Sequence, residues 1–116
     1  MKTQGLIFER AAEIFLVKAG LILIKRNFNS PYGEIDLIMR DQNILVFVEV
    51  RQRRNSRFYS AAASVSKQKR SRIIKTAQHY LQATPNHQNL FCRFDIIAYS
   101  NRCDAPLWLK SAFTDE

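Results

Sequence analysis

The chain of 116 residues has the length of one domain, and its 47% apolar and 24% charged composition excludes disorder over the whole length. No apolar run reaches the roughly 18 residues needed to span a bilayer, and the start, Met1-Lys2-Thr3-Gln4-Gly5, carries no signal-peptide pattern. Eighteen Lys and Arg against ten Asp and Glu leave a net charge of +8, which points to a polyanionic partner and by itself leaves nucleic acid and an acidic membrane surface both open.

Taken in chain order, residues 6–19 are too long and too rich in helix formers for a strand. Phe8, Ala11, Ala12, Phe15 and Ala19 recur at helical spacing on one face, and Gly20 reads as the residue just past the helix. Residues 21–28 read as a strand, 29–33 as a turn, and 34–40 as a second strand. Gln42-Asn43 makes a tight connection to residues 44–50, an apolar, β-branched run suited to a central strand covered on both faces. A second helix is expected over 66–83, with Arg70, Ile73, Ile74, Ala77, Tyr80 and Leu81 in its pattern and Pro85 just beyond it. Residues 91–99 read as another strand and 106–113 as a last, edge strand. The order α-β-β-β-α-β, with a final β, predicts an α/β fold of one domain over 1–116, helices flanking a mixed sheet around one core. Cys92 and Cys103 are too few for a disulfide framework or a four-ligand metal site and read as reduced cytoplasmic thiols.

In a basic protein the positions of the few acids carry information. Asp36 lies in the second strand and Glu49 in the third, and a two-residue turn at Gln42-Asn43 sets them opposite each other. Facing carboxylates at about 4 Å repel by about 4 kcal/mol at an effective dielectric near 20. A divalent cation turns that repulsion into attraction, and hard oxygen ligands are what Mg²⁺ takes. Glu9, at the margin of the first helix's apolar face, looks toward the sheet, and Arg51 shares a strand face with Glu49. The bland alternative for any single member is a surface ion pair. Glu34 reads as a solvated strand start, Glu13 as a solvated side chain, and Asp95 as structural rather than catalytic.

Beyond the acids, Arg51, Arg53, Arg54, Arg57, Lys67, Lys69, Arg70, Arg72 and Lys75 put nine cations and no acid into residues 51–75. This reads as a phosphate-gripping surface. Phe58 and Tyr59 within it suit either base stacking or loop anchoring, and His79 and His87 read as surface residues.

The stretches Gly33-Glu34-Ile35-Asp36-Leu37-Ile38 and Val46-Phe47-Val48-Glu49-Val50-Arg51 resemble the YraN family of uncharacterised bacterial proteins. Gly20, Arg26-Asn27, Lys69 and Arg93-Phe94-Asp95 extend the match over nearly the whole chain. That family looks like a member of the restriction-endonuclease-like superfamily, with the PD-(D/E)xK nuclease core, and is similar to archaeal Holliday-junction resolvases. The resemblance implies an αβββαβ core, Asp36 and Glu49 as the two motif acids, and Glu9 as the helical acid of the resolvase-like branch. It further implies Mg²⁺ or Mn²⁺ held by Asp36 and Glu49 with the Val50 carbonyl and Glu9, DNA as partner, and a homodimer by analogy. The sequence departs from the motif at Arg51, which stands where the superfamily has lysine and, unlike lysine, cannot give up its proton. The expectation is a structure-selective DNA endonuclease. The alternatives are a non-catalytic nucleic-acid-binding module on the same fold, or a basic protein that meets an acidic partner.

Overall fold

The computed structural model describes residues 2–52, 62–100 and 105–114. Helix α1 (Lys2–Lys18) is followed by strands β1 (Ile22–Ser30), β2 (Gly33–Asp41) and β3 (Ile44–Gln52), helix α2 (Lys67–Ala83), and strands β4 (Phe91–Tyr99) and β5 (Leu107–Phe113). The strands form one sheet in the order β1-β2-β3-β4-β5. Neighbours are antiparallel except β3 and β4, which run parallel because α2 lies in the crossover between them. The αβββαβ order expected from periodicity is therefore present, with β5 as the edge strand.

The apolar run of β3 is explained by its place in the middle. Leu45 and Phe47 join Ile73, Ala77 and Tyr80 of α2 on one face, while Val46 and Val48 join Phe8, Ala12 and Leu16 of α1 on the other. The core is thus two clusters divided by the sheet, not one. Full burial of each such side chain is worth about 1.5–3 kcal/mol.

On α1 the buried ridge is Phe8, Ala12 and Leu16, four residues apart, whereas Ala19 is exposed because the helix has already ended. Gly20 ends it at φ 103°, in the left-handed region; its N–H donates to the Val17 carbonyl and the Leu21 N–H donates to the Leu16 carbonyl. Leu16 and Leu21 then bury together on that face. Helix α2 starts at Ser66, whose hydroxyl accepts from the Lys69 N–H.

Strand alternation breaks within β2. Ile35 packs on the α2 side and Leu37, two residues on, packs on the α1 side. Opposite them Asn27 takes φ 50°, between the pairs Arg26–Leu37 and Phe28–Ile35. Asn tolerates this left-handed conformation better than most residues. Asp36 sits at the twist and is thereby turned between the two faces.

Candidate active site

The β2–β3 hairpin sets the site. Gln42, at φ 55°, opens the two-residue turn, and the ladder runs from Asp41–Ile44 up to Leu37–Val48. One more step in that register is Asp36 with Glu49. There the backbone ladder stops and a side chain takes over: the Val50 N–H donates to Asp36 Oδ2 at 2.8 Å. The two carboxyls lie within hydrogen-bonding reach of each other. Burial, followed by the Glu49 charge, pushes the Asp36 carboxyl up to about 8, against the opposing pull of the Val50 amide.

Glu49 is 4% exposed and carries a charge partner from each of two elements. Lys69 Nζ, from the first turn of α2, is 2.7 Å from Oε2, and Arg51 Nη1 is 3.4 Å from the same oxygen. Arg51 Nη2 also donates to the Ser64 carbonyl at 3.2 Å, which fixes the guanidinium. Glu9 joins from the α1 side. Burial first, then the Glu34 and Glu49 charges, raise its carboxyl above the ordinary range, while hydrogen bonds from the Asn27 and Asp36 side chains pull it down. Asn27 entered the sequence reading only as part of the Arg26-Asn27 match, without a site role. Glu34 is exposed at the margin, as expected of a solvated strand start, yet its charge reaches Glu9.

A cavity of about 130 Å³ opens onto this group, lined by Gly33, Glu34, Asp36, Glu49, Lys69 and Arg72. Its donor set tests whether a cation fits. Two hard carboxylates converge, burial and then the facing charge make one of them hold its proton, and an ammonium already sits on the other. The Asp36 and Glu49 carboxylates are the hard oxygen ligands that Mg²⁺ or Mn²⁺ takes. Among the described residues, no three His, Cys, Asp or Glu side chains close into a preformed cage, so Glu9 stands beside the pair rather than completing a third ligand.

The basic surface divides along α2. Lys69 and Arg72 face the acidic cavity, whereas Lys67, Arg70 and Lys75 line a separate groove of about 910 Å³ between α2 and β5. Arg70 is committed within the fold: it donates to the Val65 and Ala62 carbonyls and lies 5.4 Å from the Phe113 ring centroid. Arg53, Arg54, Arg57, Phe58, Tyr59 and Cys103 lie outside the described residues.

Other acids are occupied structurally. Glu13 is not simply solvated: Arg26 holds it through two bonds of 2.6 and 2.9 Å. Asp95 is fully buried and accepts from Arg93 Nε, Trp108 Nε1 and the Ser111 N–H, which ties β4 to β5. That is the structural role read from its apolar strand. His87 is less bland than expected, since its Nδ1 lies 2.9 Å from the hydroxyl of the buried Tyr80. None of the described helices is long and apolar enough to cross a membrane.

Comparison with known proteins places the chain in a family. Residues 8–99 match the profile of the "Uncharacterised protein family UPF0102". The chain is 44% identical over 113 residues to a UPF0102 protein of Psychromonas ingrahamii, covering 97% of this chain and 91% of the relative. It is 46% identical over 117 residues to one from Nitrosococcus oceani, covering 99% and 94%. A third, from Methylobacillus flagellatus, is 44% identical over 115 residues, covering 98% and 99%. The resemblance read from the hairpin motifs is thereby borne out, and the chain belongs to the UPF0102 family.

Proposed function

We propose that the protein binds DNA through its basic face and hydrolyses phosphodiesters at the Asp36–Glu49 pair, as a Mg²⁺- or Mn²⁺-dependent, structure-selective endonuclease of the Holliday-junction-resolvase type. The observation that carries the reading is the destabilised acid pair itself. A protein of net charge +8 buries Glu49 against Asp36, at the cost of a carboxyl pushed up to about 8, and rims the pair with Lys69, Arg51 and Arg72. When bound, a divalent cation would supply a more acidic water and neutralise charge on the phosphate under attack.

The protein's own groups do the rest. Asp36 is oriented by the Val50 N–H, and Glu49 is oriented by two cations. Lys69, on the cavity wall, would meet phosphate oxygens as a mobile point charge, while Arg51 holds Glu49 as a fixed fork. Glu9 extends the acidic wall on the α1 side. The cations of 51–75 would hold the flanking backbone, in a cytoplasmic setting and, by analogy with enzymes that cut two strands, as a homodimer. One observation favours a second reading, a binding module without hydrolysis: Arg51 replaces the motif lysine. A cleavage screen with Mg²⁺ or Mn²⁺ over duplex, flap, single-stranded and four-way-junction DNA decides between them. Cleavage lost in Glu49→Ala supports the enzyme; salt-sensitive binding with no cleavage of any substrate supports the module.

A further inference from the structure

The two cations on Glu49 are not equivalent. Arg51 extends from a paired strand position, opposite Ala98, and its guanidinium is also bonded to the Ser64 carbonyl, so it is fixed from two sides. Lys69 makes the shorter contact, 2.7 Å against 3.4 Å, and its side chain is the more exposed, at 40% against 28%. Its backbone is pinned by the Ser66 cap, and its ammonium reaches Glu49, its carboxylate partner among the described ion pairs, on a flexible four-carbon stem. The same side chain lines the cavity on which Asp36 and Glu49 open.

We infer that Lys69 is a tethered counter-ion that exchanges with a divalent cation at Glu49, and that on leaving Glu49 it engages a phosphodiester at the cavity mouth. Lys69, from the helix, then supplies the mobile ammonium that the strand position, occupied by arginine, does not. Arg51 remains a buttress for the Glu49 carboxylate. The exchange makes cation binding and phosphate binding mutually favourable. A cation on Glu49 frees Lys69, and a phosphate that holds Lys69 clears Glu49 for the cation. Arg72, exposed on the same cavity wall, adds a second positive charge beside the phosphate position. The inference rests on the acid pair being a cation site, as proposed above.

The test is calorimetric titration of the whole protein with Mn²⁺ at pH 8, for wild type, Lys69→Met, Lys69→Gln and Arg51→Met. Removing a competing tethered charge should tighten Mn²⁺ binding by tenfold or more in both Lys69 variants. Arg51→Met should change it by less than threefold. In parallel, duplex and four-way-junction DNA are titrated with and without Ca²⁺. Wild type should gain at least fivefold in DNA affinity with Ca²⁺, and the Lys69 variants should lose that gain. If wild type binds Mn²⁺ and the Lys69 variants bind it equally or more weakly, the exchange is overturned while the cation site stands. If wild type and all variants bind no Mn²⁺, the cation site itself is refuted and the exchange with it.

Discussion

Replacing Asp36 with asparagine isolates the stored repulsion. An amide oxygen can still accept from the Val50 N–H, and the amide N–H can donate to Glu49, so the hydrogen bonds of the site survive while one charge is removed. Unfolded, the wild-type carboxyl titrates at about 4; folded and free of metal, it is pushed up to about 8. Between those limits the unfolded chain has lost a proton that the folded chain keeps. Wild-type stability therefore falls as pH rises through this window, by at most about 1.4 kcal/mol per pH unit, and levels off above it. The variant has no such titration. In EDTA it should match wild type near the lower limit and surpass it progressively toward the upper one. Lys69, already on Glu49, offsets part of the repulsion, so about half of the ~4 kcal/mol for facing charges is expected at the upper limit. At about 4 °C per kcal/mol for a domain of this size, that is a gain of about 8 °C in Tm. Thermal melts across the pH range, followed by circular dichroism, read it directly. A variant less stable than wild type at every pH, or a gap that does not widen with pH, would refute the reasoning and favour a structural ion pair.

Further outcomes follow from the same arrangement. Asp95→Ala leaves the Trp108 Nε1–H and the Ser111 N–H without their acceptor, and Arg93 with Asp41 as its remaining carboxylate partner, and should cost about 2–4 kcal/mol in urea denaturation; a loss below about 1 kcal/mol would contradict its role as the β4–β5 hub. The pair Arg53→Ala and Arg54→Ala should weaken DNA binding equally across sequences and flatten the log K against log salt slope by about 1.8, at about 0.9 per phosphate; an unchanged slope in anisotropy titrations would remove these residues from the interface. Arg51→Lys should keep or raise cleavage of the best substrate because it restores a titratable amine, whereas Arg51→Ala should lose cleavage with the circular dichroism spectrum unchanged; equal activity in both would deny Arg51 any part.

The hairpin was the most legible feature of the chain. An apolar β-branched run interrupted by Glu49, joined by two residues to a strand bearing Asp36, fixes both the register and the acid pair, because antiparallel pairing across a tight turn leaves little freedom. What the sequence hid depended on chain separation and on phase. Lys69 reaches Glu49 across the crossover, so no local spacing announces the contact. Asn27 shifts the side-chain alternation of β1 and β2, and a period-two reading places Ile35 and Leu37 on one face when they lie on two. Thr76, buried and bonded to Ser30 Oγ and the Arg72 carbonyl, locks the β1–β2 turn to α2, and an apolar helical pattern passes over it. Arg70 looked like one more phosphate ligand but braces the start of α2.

The central claim is that Asp36 and Glu49 form the centre of a metal-dependent phosphodiesterase. Its most direct test is cleavage of a labelled four-way junction and matched duplex in Mg²⁺ or Mn²⁺ by wild type, Asp36→Ala and Glu49→Ala, with binding of the same DNA followed in Ca²⁺. The account predicts metal-dependent cleavage by wild type, its loss in both variants, and DNA binding in all three. Robust metal-dependent cleavage that persists unchanged in Asp36→Ala and Glu49→Ala would contradict it.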